Sequence, residues 1–373
     1  MCLIVLCIIL SLGLWPFHAP RNEVTWMNQA NGLAFGKYGT VLGSGPLKAE
    51  NSWTEPGGSI EMWVQPGRRN SATILTLYRP EQKLLVALRQ SLTDLELVAE
   101  TGDVSGRTSR AHFYVNNAFA PALQQKNPVF IAVTVGLRET MVYLDGALAR
   151  VAPNFCISQD AFRGRLIVGD SPRQPDSFRG QIRGLAIYDA ELNGDQILHH
   201  YQTWVRKGRP DVDQDRGNLA VYLFNEKSGS IVHNRAGGDG DLRIPESYMV
   251  LDKISLEPFW KEFDFSEGYW SGNLKNIIGF VPLGFCFYAY FAVARPRKRA
   301  MLLTIIWGAL VSLTIEVLQT VLPTRDSGTT DVITNTIGTW AGVLCYEHIY
   351  LAWVKRCPRL GWFAPNSTQG MPV

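Results

Sequence analysis

Three stretches in the last quarter of the chain are too long and too apolar for an ordinary soluble fold. Ile277–Ala294 carries no charged residue, Ala300–Leu322 carries only Glu316, and Val332–Val354 holds Glu347 and His348 near its far end. A bilayer core asks for about 20 apolar residues per helix, so each stretch is read as a spanning helix. A fourth apolar run, Met1–Phe17, ends at Trp15-Pro16. At about 1.5 Å per residue it covers only ~25 Å, short for a span. It has neither a positive n-region nor a small-x-small cleavage site, so it reads as an uncleaved signal anchor.

Basic residues in short loops orient such helices. Arg295, Arg297, Lys298 and Arg299 follow the second span, and Lys355, Arg356 and Arg359 follow the fourth. Both clusters fall on one side, expected to be cytoplasmic. The Pro323–Asp331 loop and the long block between the first two spans then face outward. That block holds most of the charge. Between His18 and Lys275 there are 28 Lys+Arg against 29 Asp+Glu, whereas the remainder to the C-terminus has 8 against 4. No basic stripe exists to neutralise phosphates, which excludes nucleic acid as a partner.

Only Cys156 of the six cysteines falls in the middle block, so no disulfide is expected within it, and no Cys/His spacing resembles a zinc site. His199-His200 reads as helix surface rather than as a ligand pair. Just before the second span, Phe259, Trp260, Phe263, Phe265, Tyr269 and Trp270 crowd together. They fit either a headgroup-level aromatic belt or a helix packed on the outer domain.

From Asn31 to about Pro245 the pattern changes to short strands with turn signals between them. The expected strands are Ser59–Gln65, Thr73–Tyr78, Leu84–Arg89, Asp94–Glu100, Val129–Val135, Thr140–Leu144, Arg165–Val168 and Gln181–Tyr188. Ser59-Ile60-Glu61-Met62-Trp63-Val64 alternates apolar and polar, and Asp145-Gly146 between two such runs is a strong hairpin signal. One amphipathic helix is expected at about Asn193–Trp204. Many strands with little helix predict an all-β jelly-roll sandwich, joined to an α-helical bundle of about four transmembrane helices.

The strand block resembles a laminin-G-type, concanavalin A-like domain. The motifs are Ser59–Pro66, Phe130-Ile131-Ala132-Val133-Thr134, Val142-Tyr143-Leu144-Asp145-Gly146, Leu166-Ile167-Val168-Gly169, and Phe178-Arg179-Gly180-Gln181-Ile182 with Ala186-Ile187-Tyr188-Asp189. They occur in order over roughly residues 31–205. Two departures stand out. Arg183 replaces the acidic residue common after the Gly-x-Ile turn. Tyr222-Leu223-Phe224-Asn225-Glu226, with Gly229 behind it, follows the domain instead of opening it. The 206–250 stretch is therefore either a strand pair completing the sandwich or a small separate element. The resemblance implies a recognition module for glycans or proteins, often with calcium. Asp239 and Asp241 in Gly237-Gly238-Asp239-Gly240-Asp241 are the candidate calcium ligands, against the plainer reading of a Gly/Asp turn. Asp170 after Gly169 is equally unspecific.

Ionisable groups inside spans are costly and mark a site or a buried pair. Glu316 lies near the outer end of the third span, with Gln319 one turn on. Asp331, Asn335, Gly338 and Gly342 fall on one helical face of the fourth, and Gly338-x-x-x-Gly342 allows a close helix neighbour. Asn276-x-x-Gly279-Phe280-x-Pro282-Leu283-Gly284-Phe285, Glu316-x-x-Gln319, Arg325, Asp331 and Asn335-Thr336-x-Gly338-x-x-x-Gly342 resemble VanZ-like membrane proteins over residues 274–354. The departure is the long insertion between the first two spans. The resemblance implies a bacterial cell-envelope protein, in a family named for glycopeptide-antibiotic resistance.

Asn276, Glu316, Gln319, Arg325, Asp331 and Asn335 are the candidate lipid or headgroup site, with Arg325 as a fork-shaped donor to an anionic group. The plainer reading is a structural ion-pair network of Glu316, Arg325 and Asp331. No nucleophile has a base nearby, so no catalytic residue is assigned. The expected function is non-enzymatic: the sandwich binds envelope glycan or exopolysaccharide, and the bundle binds a lipid or lipid-linked saccharide. The competing class is a membrane enzyme acting on an isoprenoid-linked or lipid headgroup, with Glu316 as general acid or base. A third reading, a proton-coupled transporter, finds only Glu347 and His348 in the cytoplasmic halves of the spans. The expected organisation is a first helix at 1–17, the sandwich at 31–205, the additional β element at 206–250, an aromatic juxtamembrane segment at 251–275, the VanZ-like domain at 276–354 and a cytoplasmic tail at 355–373. The expected location is the bacterial inner membrane, multi-pass, with the sandwich periplasmic or extracellular.

Overall fold

The computed structural model describes residues 1–48, 57–82, 84–102, 108–153, 155, 157–208, 218–237, 240–263, 265, 267–350 and 352. The chain forms two compact units: Pro20–Asp252, and Met1–Ala19 together with the chain from Lys253 onward. Among the described residues the first unit has sixteen strands. They are β1 (Val24–Trp26), β2 (Leu33–Phe35), β3 (Val41–Pro46), β4 (Gly58–Pro66), β5 (Asn70–Arg79), β6 (Leu84–Leu92), β7 (Asp94–Gly102), β8 (Thr108–Val115), β9 (Val129–Val135), β10 (Glu139–Leu144), β11 (Ala147–Pro153), β12 (Arg165–Val168), β13 (Gly180–Tyr188), β14 (Asn218–Tyr222), β15 (Ile231–Val232) and β16 (Leu242–Arg243).

These strands make two antiparallel sheets. One runs β1-β2-β13-β4-β9-β10-β11, with β14 also paired to β13. The other runs β15-β16-β3-β12-β5-β6-β7-β8. Leu33, Ile60, Met62, Ile74, Leu88, Leu97, Ile131 and Leu185 belong to the apolar core built from both sheets, as alternation along each strand requires. All eight expected strands are present. The Asp145-Gly146 turn joins β10 to β11 with both residues at positive φ, 49° and 80°, the geometry a two-residue hairpin needs. The 206–250 stretch is no separate element where it is described: β14 extends one sheet, and β15 and β16 extend the other.

Among the described residues α1 (Cys2–Leu14) precedes the strands in the chain, and three short or mid-length helices accompany them: α2 (Ala120–Gln125), α3 (Gln159–Phe162) and α4 (Gly194–Lys207). The α4 start is fixed by a capping box. The Asn193 side chain accepts from the Gln196 N–H, and the Gln196 side chain accepts from the Asn193 N–H, each at 3.0 Å. Helix α4 lays Ile197, His200 and Trp204 on the outer face of the first sheet. The Trp204 ring stacks on Trp63 at 5.7 Å. Gly184 permits this approach, since a Cβ there would lie 2.1 Å from the Trp204 ring. His200 is thus not helix surface. It is 3% exposed, and its Nδ1 sits 2.8 Å from Glu61 Oε1.

Asp170 is fully buried at the end of β12. Its Oδ1 accepts from the Ser171 and Asp176 N–H groups, both at 2.8 Å, and its Oδ2 accepts from Ser177 Oγ. Burial nevertheless pushes its carboxyl up to about 7, against the pull of these donors. A carboxyl raised above its unfolded value of about 4 favours the native state most when protonated in it. This contribution is therefore complete below about pH 4 and is lost as pH rises towards 7. The melting temperature of the sandwich should fall across that window, and Asp170→Asn should flatten the fall. Calorimetry at half-unit pH steps checks this. Equal pH slopes in both proteins would remove Asp170 as the source.

The second unit comprises α1, α5 (Phe259–Glu262), α6 (Glu267–Ala292), α7 (Arg297–Gln319) and α8 (Thr329–Leu344), the last continued by a π-helical turn at Cys345–Tyr350. Among the described residues two helices, Gly268–Ala292 and Arg297–Gln319, are long and apolar enough to cross a membrane. At about 1.5 Å per residue, α1 and α8 are only ~20 and ~24 Å long. The tightest packing joins α6 to α8. A Cβ on Gly338 would lie 2.2 Å from Ile277 O, one on Gly342 2.2 Å from Val281 O, and one on Gly284 1.9 Å from Thr339 O. Backbone cannot yield as a side chain can, so Gly338→Ala must push the helices apart. Overpacking of this kind costs about 1–3 kcal/mol. The variant should melt several degrees lower in detergent, while Gly272→Ala, which meets nothing within 4 Å, should not.

Candidate functional site

The polar positions gather where α7 ends and α8 begins. Every helix end leaves N–H or C=O groups without partners, and an apolar surrounding demands that they be matched internally. The N-cap of α8 is Gly328, which has no side chain to cap with. Its donors are met from elsewhere. Glu316 Oε2 accepts from Gly328 N–H at 2.9 Å, and Glu262 Oε2 accepts from Thr330 N–H at 2.9 Å and from the Thr330 hydroxyl. Asp331 in the first turn accepts from Asn276 Nδ2 at 2.7 Å. These anions also suit the positive end of the α8 dipole.

The cations lie at the opposite kind of helix end. Lys253 Nζ donates to Gln319 O and, at 2.5 Å, to Leu322 O, closing the last turn of α7. Burial pulls the Lys253 ammonium below its ordinary range, while Asp326 and Glu316 hold it up. Arg325 donates through Nε to Trp15 O at 2.8 Å and through Nη2 to Leu12 O at 3.2 Å, closing α1. Gln319 Nε2 reaches Gly13 O at 2.7 Å. A short parallel bridge braces the connection, with Glu257 N–H on Ser327 O and Thr329 N–H on Glu257 O. Ser327 Oγ returns to Glu316 O at 2.9 Å.

The six expected site residues thus occupy one end of the helical unit, in different roles. Asn276 and Asp331 bond each other. Asn335 bonds Ser312 Oγ at 2.9 Å, tying α8 to α7. Glu316 is 1% exposed. Together with Glu262 and Asp331 it brings three acidic side chains to the first turn of α8. The ion-pair network expected of Glu316, Arg325 and Asp331 needs correction. Among the described residues no ion pair joins Arg325 to either carboxylate, because its guanidinium is turned to the carbonyls ending α1. Lys253, Glu257 and Glu262 were missed. The signal available was a helix opening at Gly328-Thr329-Thr330, which cannot satisfy its own donors.

At the other end of the same helices, Glu347 accepts from Arg297 Nε at 2.9 Å and from the Tyr288 hydroxyl. Glu347, one of the two polar groups expected in this half of the spans, thus belongs to a paired group. In the first unit, Asp241 Oδ1 accepts from Asn234 N–H at 2.9 Å, and Oδ2 lies 3.0 Å from His233 Nδ1. Asp239 lies outside the described residues. Among the described residues no group of three or more His, Cys, Asp or Glu side chains is arranged to hold a metal.

Residues 229–351 match the VanZ/LLP1 family, and residues 41–198 match a laminin-G model of the concanavalin A-like lectin/glucanases superfamily. The first match begins well upstream of the second span and takes in β15 and β16. No curated protein matches the chain. Among solved structures, the receptor-binding domain of botulinum neurotoxin D is 14% identical, covering 50% of this chain and 48% of its own, with a TM-score of 0.35. This chain therefore spans about half the length of that domain. The heptameric SAP-like pentraxin of Limulus polyphemus is 13% identical, with coverages of 62% and 94% and a TM-score of 0.33. The CBM40 module of a Ruminococcus gnavus sialidase, solved with sialyllactose, is 11% identical, with coverages of 45% and 95% and a TM-score of 0.33. The two family matches fall on successive parts of the chain, concanavalin A-like over residues 41–198 and VanZ-like over residues 229–351.

Proposed function

We propose that this protein is a non-enzymatic component of the bacterial cell envelope that binds glycan through its sandwich and a lipid or lipid-linked saccharide headgroup through its helical unit. The observation that carries the reading is the union, in one chain, of a concanavalin A-like domain with a VanZ-like domain holding apolar helices. At the helical site, Gln319 Oε1 and Asn335 Oδ1 are buried acceptors without a hydrogen-bond partner. Unmatched acceptors call for donors, so the headgroup assigned is one rich in hydroxyl or amino groups. An anionic headgroup at Arg325 has less support, since two of its nitrogens already serve α1. Full-length protein in nanodiscs should bind an envelope glycan or exopolysaccharide fraction saturably, and mass spectrometry of the purified protein should find a retained glycolipid or lipid-linked sugar. Absence of glycan binding defeats the first half, and absence of such a lipid defeats the second.

The same reading places the protein in the cytoplasmic membrane with four spans and the sandwich outside. Its support is asymmetric: Arg295, Arg297, Lys298 and Arg299 join α6 to α7, whereas Trp260, Phe265 and Trp270 stand more than half exposed before and at the start of α6, as headgroup-level aromatics do. In a cysteine-free background, Ser230→Cys should react with an impermeant maleimide on spheroplasts and Lys298→Cys should not. The reverse pattern inverts the topology.

A further inference from the structure

The outer face of the second sheet, at its β8 edge, carries a layered charge arrangement. Register places Arg110 opposite Glu100, and Tyr114 opposite Glu96, which in turn faces Arg89 on β6. Both glutamates are nearly buried, with side chains 7% and 6% exposed, and cationic or aromatic groups cover them. Arg173 Nη1 lies 3.0 and 3.1 Å from the two Glu100 oxygens, and Arg110 Nη2 lies 3.5 Å from one of them. Among the described residues one carboxylate thus holds two guanidiniums, and Arg110, the more exposed of the two, stands at the surface above it. Glu96 takes Arg89 Nη1 at 3.2 Å, the Tyr114 hydroxyl at 2.8 Å and His112 Nδ1 at 2.7 Å. This fixes the exposed His112 and Tyr114 rings within 9° of parallel. Arg110 and Tyr114 are four residues apart on one strand face, about 13 Å at a strand's rise, the span of one to two sugar rings.

We infer that this face binds a carboxylate-bearing sugar residue of a glycan, with the carboxylate on Arg110 and Arg173 and the sugar ring on His112 and Tyr114. The inference rests on the sandwich being the glycan-binding part. Guanidinium forks match carboxylates two bonds at a time, and flat rings offer apolar area to the C–H face of a pyranose. The exposed Arg110 guanidinium beside the partly buried Arg173 favours an acidic ligand over a neutral one. The carboxylates also hold the arginines in place before binding, which limits the side-chain entropy lost on association.

The test is a glycan array of uronic, sialic, neutral and phosphorylated saccharides probed with full-length protein in detergent. Titrations then compare the strongest binder with its carboxyl-reduced counterpart. Carboxylated glycans should dominate, reduction should weaken binding at least tenfold, and Arg110→Glu should do the same. Because Arg110→Glu also sets a like charge opposite Glu100, Arg110→Gln is the stability control: the Arg110 side chain is 58% exposed, so this variant should keep the wild-type melting temperature and still weaken binding to carboxylated glycans. Tyr114→Ala should weaken carboxylated and reduced forms equally. Neutral or phosphorylated glycans binding best, or wild-type affinity in all three variants, overturns the inference while leaving the sandwich a glycan module. No binding to any saccharide overturns both.

Discussion

Glu61→Ala should destabilise the sandwich by about 1–3 kcal/mol for each buried donor that it leaves without an acceptor. Glu61 is fully buried on β4 under α4. Its carboxylate takes the Tyr188 hydroxyl at 3.0 Å on one oxygen and faces His200 Nδ1 at 2.8 Å on the other. Without it, the imidazole and the phenol lose this acceptor in a layer otherwise filled by Phe130, Tyr143, Leu192, Ile197 and Trp204. Replacing both partners with apolar residues of similar size should behave differently. Glu61→Leu with His200→Leu should recover most of the loss, because desolvating the pair offsets much of its attraction. Chemical denaturation of both single variants and the double gives the coupling energy directly. Additive losses would show that α4 is held by its apolar face alone.

That pair also shows where the sequence stopped being legible. The alternation in Ser59–Val64 correctly marks a strand and its two faces. It says nothing of whether the second face meets water or a helix that follows 139 residues later in the Glu61–His200 contact. Reading His200 as surface followed from treating the outer face as solvated. The β10–β11 hairpin was legible because Asp145-Gly146 encodes its geometry locally. Strand β8 was missed because its outward positions, Arg110, His112 and Tyr114, are polar or amphipathic and carry no apolar run. In the helical unit, helical spacing alone brought Glu316 with Gln319, and Asp331 with Asn335, Gly338 and Gly342. The partners were illegible for a different reason: Lys253 and Arg325 bond to carbonyl oxygens, which every residue has and no residue letter marks. Arg325 finds its acceptor 310 residues away, at Trp15.

This difference gives the helical site its sharpest expectation. Arg325→Ala leaves the carbonyls of Leu12 and Trp15 without their guanidinium donors at the end of α1. Hydrogen bonds from a charged donor contribute about 1.5–3 kcal/mol each, so the variant should lose roughly that much or more. Glu316→Gln keeps an oxygen for the Gly328 N–H. Its effect should be small, whereas Glu316→Leu strands the Gly328 donor at a cost of about 1–3 kcal/mol. Because Arg325 and Glu316 serve different helix ends, Arg325→Ala combined with Glu316→Gln should equal the sum of the two single effects within about 0.5 kcal/mol. An ion pair between them would behave otherwise, since neutralising the stranded carboxylate would rescue the loss of the arginine. Arg325→Lys discriminates further: a single ammonium lacks the planar fork that reaches both carbonyls, so it should restore only part of the stability. Thermal denaturation of the five proteins in one detergent, with the wild type as reference, decides the matter. Rescue of Arg325→Ala by Glu316→Gln would return the arginine to the carboxylates and take it from α1.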